Sequence, residues 1–158
     1  MFDTKELRSF LNKADKPHAD GTAEIIRNVD GSNTISYEDG DWSMKDTFYG
    51  GEPYGGRQIV HYKGEPVWLC VYYGSIDQRV AEVKEIYDFL RLSLQQAPVN
   101  GFSRGPARFA QGDFEYCNQT EGTIESYAGE ETIHDRGIEI YRARYLGGFV
   151  DRRNQGEY

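Results

Sequence analysis

The sequence is poor in cysteine and has no long hydrophobic run. Its two cysteines, Cys70 and Cys117, lie far apart in predicted strands and lack the close spacing of a metal-binding pair. No stretch approaches the roughly 18–20 apolar residues of a membrane span, and the N-terminal residues are too charged for a signal peptide. Because free thiols buried in strands are typical of a reducing compartment, we expect a cytoplasmic protein with no membrane partner.

Basic charge is also in deficit. The chain has 18 Lys and Arg against 26 Asp and Glu, which gives a formal net charge of −8. Nonspecific binding to nucleic acid requires a basic surface along the phosphate backbone, so direct nucleic-acid binding is not expected. The acidic balance fits a soluble protein, and it also fits one that binds a basic protein partner.

Recognisable catalytic and metal-binding motifs are missing as well. The glycine-rich residues 50–56 are not followed by the GK[ST] of a phosphate loop, and the loop at 18–32 lacks the ligand spacing of a calcium site. His61 and His134 could bind a metal or act as acid and base, but they occupy equivalent positions of a repeat, which accounts for both. We therefore predict no catalytic residue, no metal ligand and no cofactor. A small enzyme is the less favoured alternative.

Acidic residues cluster in one part of the chain, at Glu121, Glu125, Glu130 and Glu131. Paired carboxylates of this kind could form a glycosidase-like site. The earlier copy of the same repeat has Arg57 and Gln58 where the later copy has Glu130 and Glu131. An exposed acidic face is therefore the favoured interpretation of this cluster.

The sequence is rich in aromatic residues, at 14%, and it contains an internal repeat. Residues 54–74 align with residues 127–147 at a constant offset of 73, and similar residues occupy several further positions. The identical pairs are Tyr54/Tyr127, Gly56/Gly129, His61/His134, Gly64/Gly137, Tyr72/Tyr145 and Gly74/Gly147.

Each copy begins with a helix. Asp3 and Glu6 have the spacing of a capping box at the start of the first helix, and Pro17 is expected to end it. An apolar stripe predicts a second helix over about 77–96, before Pro98. The dipeptides Asp39-Gly40 and Lys63-Gly64 indicate two-residue hairpin turns between strands.

These elements predict an α+β fold of two tandem α-β-β-β-β units. The first unit covers residues 1–76, the second covers 77–150, and a polar tail follows at 151–158. We expect the units to form an intramolecular pseudo-dimer with antiparallel sheet inside a single domain, 1–158. Packing of the two halves would leave a concave surface between them, which is a common location for a ligand site.

The alternation of side chains along the strands selects candidate binding residues. Asp46 and Asn118 are equivalent polar residues in line with aromatic ones, and Trp68 is equivalent to Tyr141. The second copy has two arginines where the first has Leu69 and Val71. The predicted ligand-binding residues are Asp46, Asn118, Trp68, Tyr141, Arg142 and Arg144.

Several short motifs occur together along almost the whole chain. They are FL at 10–11, YxxGDW at 37–42, the Gly-Gly corner with YxG at 54–56, KGxPVW at 63–68, RGP at 104–106 and GDFEY at 112–116. As a set, they resemble a bacterial family of domains of unknown function, which occur alone or C-terminal to an XRE-type helix-turn-helix. No paired short helices with a basic recognition helix are present here. The resemblance implies a sensor or partner-binding body, and it implies no catalytic residues.

Two classes of function remain open at this point. The favoured one is a non-enzymatic, ligand-sensing or regulatory module that binds a small molecule or a protein partner between its two halves. The alternative is an acidic inhibitor or immunity-type protein that binds a basic target by surface contact. The sequence does not determine the oligomeric state.

Overall fold

The structure is a computed structural model, and it describes residues 2–98, 102 and 104–151. It confirms an α+β fold, in which two helices accompany one antiparallel sheet of nine strands. The strands are β1 (Ile26–Arg27), β2 (Asn33–Asp39), β3 (Trp42–Gly50), β4 (Tyr54–Tyr62), β5 (Glu65–Ile76), β6 (Arg108–Gln111), β7 (Phe114–Thr123), β8 (Ser126–Asp135) and β9 (Ile138–Phe149). Their order in the sheet is β1-β2-β3-β4-β5-β9-β8-β7-β6. The predicted tail, apart from residue 151, lies outside the described residues.

The first helix, α1, spans Thr4–Asp20 and begins with the predicted capping box. The Asp3 side chain accepts a hydrogen bond from the Lys5 amide at 2.9 Å, and Glu6 accepts one from the Asp3 amide at 3.4 Å. The prediction that Pro17 ends this helix was wrong. Proline lies in the last turn, where its carbonyl accepts hydrogen bonds from two later amides, and the helix ends at Gly21 in a left-handed conformation.

The second helix, α2, spans Val83–Leu94 and is shorter than the predicted 77–96. Residues 77–82 form a turn instead. The Asp77 side chain accepts a hydrogen bond from the Arg79 amide at 2.9 Å, and the Asp77 carbonyl accepts one from the Val80 amide at 2.9 Å. An aspartate that binds nearby amides in this way competes with helix formation.

Both predicted hairpin turns are present, but the first lies one residue later than predicted, at Gly40-Asp41 instead of Asp39-Gly40. Asp39 pairs with Trp42 across a two-residue turn, with Gly40 at φ 62°. Lys63 and Gly64 both have positive φ, at 53° and 86°, between β4 and β5. Positive φ at both central residues gives the backbone twist that suits a two-residue hairpin. A short strand, β1, lies in the segment predicted to be a loop.

Both helices pack on the same face of the sheet, which we call the inner face. Leu7, Phe10 and Leu11 of α1 lie in one hydrophobic cluster, with β3, β4 and β5 side chains such as Met44, Val60 and Trp68. The α2 side chains lie in a second cluster on the strands of the other half, with Tyr116, Ile133 and Tyr141. The opposite, outer face of the sheet carries no helix among the described elements.

The two halves of the sheet meet where β5 pairs with β9. Their register places Tyr72 opposite Tyr145, Cys70 opposite Gly147, and Gly74 opposite Ala143. The centre of the inner face therefore lies at the junction of the halves, between the two hydrophobic clusters. No helix in the described part of the chain is long and apolar enough to cross a membrane.

Candidate functional site

Asp46 and Tyr72 form a hydrogen-bonded pair at the centre of the inner face. The Tyr72 hydroxyl donates a short hydrogen bond to Asp46 Oδ1. Burial raises the pKa of Asp46 to about 6, although this hydrogen bond and the nearby Arg104 both favour its ionised form. Burial and the adjacent carboxylate also raise the pKa of Tyr72, so the phenol stays protonated as a donor.

A second part of the centre is built around Glu131, whose side chain is fully buried. Its carboxylate accepts three hydrogen bonds, from Arg104 Nε at 2.8 Å, Tyr116 at 2.7 Å and Tyr141 at 2.9 Å. Because the Tyr141 proton points to Glu131, Tyr54 donates the 2.6 Å hydrogen bond between the two tyrosine hydroxyls. A buried charge requires this degree of pairing to be tolerated in a protein interior.

Arg104 connects these two parts. It lies in the segment between α2 and β6, and its guanidinium carbon is 5.5 Å from the centroid of the Tyr72 ring. Its side chain is 21% exposed, so solvent reaches it although it forms an ion pair with buried Glu131. Burial favours the neutral guanidine, but Glu131 and neighbouring tyrosines raise the pKa of Arg104 well above its usual value.

Helix α1 contributes Asp15 and His18 to the same region. Gln58 of β4 donates a hydrogen bond to Asp15 Oδ1. Burial raises the pKa of Asp15 to about 6, with a further increase from the charge of Asp46, and burial lowers the pKa of His18 to about 4. Both residues nevertheless keep exposed surface.

We call Asp15, Asp46, Tyr72 and Arg104 the central site. It combines two carboxylates, one guanidinium and an aromatic ring at the junction of the two halves. Such a group of charged side chains beside tyrosine rings can bind a polar ligand by hydrogen bonds and cation–π contact.

The matching position in the second half is occupied by a neutral pair. The Tyr145 hydroxyl donates to Asn118 Oδ1 and accepts from Thr120 Oγ1 at 2.6 Å. The Asn118 amide group donates to the Gly105 carbonyl at 3.2 Å. Asn118 is buried and bonded at both ends of its side chain, so it supports the segment that carries Arg104.

The structure brings together three of the six predicted binding residues. Asp46, Asn118 and Tyr141 all lie in the hydrogen-bond networks of the inner face. Trp68 is also buried but belongs to neither network: it stacks on Tyr127 and donates a hydrogen bond to the Ile124 carbonyl at 3.0 Å.

The other two predicted residues, Arg142 and Arg144, lie on the outer face. Both form ion pairs with Glu130, and Arg142 forms another with Glu139. Arg144 borders a shallow depression of about 620 Å³ whose lining includes Tyr73 and Leu146. These arginines are therefore separated from the central site by the sheet itself.

Sequence reasoning missed Arg104, Asp15 and Glu131. The interpretation of Glu131 as part of an exposed acidic face was wrong, because it is fully buried. The strand pattern did indicate its position, since Glu131 lies at even spacing from Tyr127 and Ile133 and so shares their buried side of β8. The charge of the residue outweighed this pattern, and no local pattern indicated its partner 27 residues earlier.

The two histidines do not form a shared site. Within the described ranges, no group of three or more His, Cys, Asp or Glu side chains is placed to hold a metal ion. His134 Nδ1 is buried and makes no hydrogen bond in the structure. It lies at the far end of β8, beside Glu115 in the adjacent strand.

The fold and the central site define an α+β protein with one antiparallel sheet, two helices on one face, and a mixed-charge polar centre beneath them. Residues 46–150, about two thirds of the chain, match the family described as Domain of unknown function (DUF5680), and the chain belongs to this family. No curated protein and no solved structure matches it. The matched region includes Asp46, Tyr72 and Arg104 of the central site but not Asp15.

Proposed function

We propose that this chain is a non-enzymatic binding module that holds a small molecule at the central site. The observation that carries the proposal is the position of Arg104 and Asp46 around Tyr72. The guanidinium lies 5.5 Å from the ring centroid, while the hydroxyl of the same ring binds the carboxylate. Arg104 and Asp46 both contact Tyr72 but form no ion pair with each other. A ligand that contacts both charged groups at once would suit this arrangement.

Two potential nucleophiles in this region, Cys70 and Tyr72, stay protonated at neutral pH, which supports binding rather than catalysis. Burial raises the pKa of the Cys70 thiol to about 11, so the reactive thiolate is scarce at neutral pH. The pKa of Tyr72 is raised as well, so its phenolate is not available as a base. Among the described residues near the central site, the groups are arranged to donate and accept hydrogen bonds.

The proposal includes an intramolecular pseudo-dimer, with residues 1–76 and 77–150 as its two α-β-β-β-β units. It is supported by the β5–β9 register, because Tyr72 and Tyr145 are both repeat equivalents and cross-strand partners. The Tyr72–Asp46 and Tyr145–Asn118 hydrogen bonds are likewise equivalent. These two hydrogen-bonded pairs therefore differ by one charge, and we propose that the ligand binds beside the charged pair.

The biological setting of this proposal is regulation in a bacterial cytoplasm. It is supported by the resemblance to domains that occur alone or behind an XRE-type helix-turn-helix, and by free cysteines at both cysteine positions. In this setting, ligand binding would change the contacts of the module with a partner protein.

A thermal-shift screen of the full chain against cellular metabolites tests the proposal. A ligand that binds only the folded state adds about 2.7 kcal/mol of stability at 100 times its dissociation constant, which raises the midpoint. The shift should decrease in an Asp46→Asn variant and persist in Asp113→Asn, an exposed control at a hairpin turn. A metabolite set that leaves the midpoint unchanged would count against a small-molecule function.

A second candidate is binding of a basic protein through the surface. It is favoured by the net charge of −8 and by exposed Tyr73 and Leu146, at 60% and 58%, on the outer face. Recovery of one basic partner in a pull-down, lost with Tyr73→Ser and weakened by salt, would support this function. Recovery that is insensitive to both would argue against it.

A further inference from the structure

Charges of both signs meet at the central site without being fully paired. Of the guanidinium nitrogens of Arg104, only Nε donates a hydrogen bond to a residue in the described ranges, and its acceptor is Glu131. Asp46 and Asp15 each accept one side-chain hydrogen bond through Oδ1, from Tyr72 and Gln58. Their second carboxylate oxygens accept none from the residues that the structure describes.

The positive and negative groups of the central site are also held apart. Arg104 forms its ion pair with Glu131, whereas no ion pair within 4.0 Å joins it to Asp46 or Asp15 in the described part of the chain. Among the residues that the structure describes, the two Nη groups of Arg104 therefore have no acceptor, and the second oxygens of the two aspartates have no donor. Tyr72 contacts one group of each sign: its ring lies 5.5 Å from the Arg104 guanidinium carbon, and its hydroxyl donates to Asp46.

We propose that the central site binds a small zwitterion of the α-amino acid class, with its carboxylate on the Nη groups of Arg104 and its ammonium on Asp46 and Asp15. This inference rests on the proposed function and specifies its ligand. A guanidinium offers paired donors that match a carboxylate, and an ammonium has three donors for carboxylate oxygens. The Tyr54 and Tyr72 rings, 6.0 Å apart, add aromatic surface beside the cation.

The charge balance of the site favours a zwitterion over an ion of one sign. A simple anion would meet Asp46 and Asp15, and a simple cation would meet Arg104. His18 is neutral at physiological pH, because burial lowers its pKa to about 4, so it adds no second cation. The equivalent Asn118–Tyr145 pair is neutral, and the Asn118 side chain is hydrogen-bonded at both its oxygen and its nitrogen, so one such site is expected per chain.

Calorimetric titration of the full chain with matched sets of compounds tests this ligand class. The probes are glycine, L-leucine and L-phenylalanine. Each is compared with the amine that lacks its carboxylate and with the carboxylic acid that lacks its ammonium group. At least one amino acid should bind more tightly than both of its matched half-molecules, by about tenfold or more, because each half-molecule lacks the charged hydrogen bonds of one end.

Two variants connect binding to the proposed atoms. Asp46→Asn removes the acceptor charge, and Arg104→Lys keeps a cation beside Glu131 but removes the fork that holds a carboxylate. Each should weaken amino-acid binding by about tenfold to a hundredfold. The matched controls, Asp113→Asn and Arg144→Lys, lie away from the site and should bind like the original chain.

The outcomes separate this inference from the function on which it rests. Half-molecules that bind as tightly as the amino acid would overturn the zwitterion class while leaving a small-molecule site at Asp46 in place. Amino-acid binding that both site variants leave unchanged would overturn the location. If no amino acid binds but another metabolite does, only the inference fails; if nothing binds at all, the proposed function fails with it.

Discussion

At the scale of single residues, the buried carboxylate of Glu131 stabilises the inner face through its pairing with Arg104. We predict that Glu131→Gln lowers the free energy of unfolding by about 3 kcal/mol, since it leaves Arg104 without a counter-charge. The value lies at the low end for a buried pair because one fifth of Arg104 is exposed. Urea unfolding of the variant measures this loss.

The neighbouring residue offers a matched control for that substitution. Glu130 pairs with Arg142 and Arg144 on the outer face, where both arginines reach solvent. Glu130→Gln should therefore cost less than about 1 kcal/mol, as is usual for surface ion pairs. Equal losses for the two substitutions would show that the buried pair has no special role in stability.

Asp46 gives the stability of the protein a dependence on pH. Its pKa is about 6 in the folded chain against 3.8 in the unfolded one, so the folded state binds the extra proton between these values. The unfolding free energy should then fall as pH rises from about 4 to 7. This loss of stability comes from ionisation of the buried carboxylate, so it begins near pH 3.8 and is complete about one pH unit above 6.

Replacement of this carboxylate should remove part of that dependence. Asp46→Asn keeps an acceptor for Tyr72, as Asn118 does for Tyr145, and should raise stability above pH 6 by about 1–3 kcal/mol. Urea unfolding at a series of pH values measures both slopes. An unchanged slope in the variant would assign the dependence to other groups, with Asp15 the first to examine.

The residues also show how far the sequence alone could be read. Alternation along the strands was sufficient to place Asp46, Asn118 and Tyr141 on the buried face. It could not place Arg104, because a residue in an irregular segment reaches its partner only through the tertiary fold. It was overruled for Glu131, because a carboxylate is rarely fully buried unless it is paired, and its partner Arg104 is brought to it only by the fold.

At the scale of elements, the predicted helix bounds were wrong where side-chain hydrogen bonds or helix-end geometry, and not the apolar periodicity, determine where the helix begins or ends. The apolar stripe of α2 was read correctly over Val83–Leu94, but the Asp77 turn shortened the helix at its start. Proline interrupts a helix interior, yet Pro17 is tolerated in the last turn of α1, just before Gly21. The hairpin turns were predicted to within one residue, because a two-residue turn requires positive φ and residues such as glycine adopt it readily.

Strand β8 depends on a glycine for the packing of Tyr145. A Cβ atom built on Gly129 would lie 2.3 Å from this ring, so the ring rests directly on the strand backbone. We predict that Gly129→Ala destabilises the protein by about 1–3 kcal/mol through overpacking. Thermal or urea unfolding of the variant measures the effect.

A suitable comparison is Gly51, where an added Cβ meets nothing within 4 Å and φ is not positive. Gly51→Ala should change stability by less than about 1 kcal/mol. In a Tyr145→Ala background, the Gly129→Ala penalty should largely disappear, since the clashing ring is gone. A penalty that persists there would show that the strand backbone, not the ring, requires glycine.

At the scale of the whole molecule, two hydrophobic clusters share one sheet. The β5–β9 pairing joins the halves, and Tyr145 lies in the cluster of the first half although β9 belongs to the second. Continuous pairing of this kind should make the halves unfold together, as the predicted single domain over 1–158 requires. The distribution of tryptophan allows a direct test.

Both tryptophans, Trp42 and Trp68, lie in the first half, but Trp68 contacts Tyr127 and Ile124 of the second. A Trp68→Phe background therefore leaves the fluorescence of Trp42, which stacks on Phe10, to report on the first half. Phe89 lies in the second cluster, where it contacts Phe109 and Phe114. We predict that Phe89→Ala lowers the unfolding free energy by about 3–5 kcal/mol and moves the fluorescence and circular-dichroism midpoints together. Val29→Ala, at a fully exposed position of the first half, should move neither. A fluorescence midpoint that stays fixed while the dichroism signal splits would mean that the two halves fold as separate units.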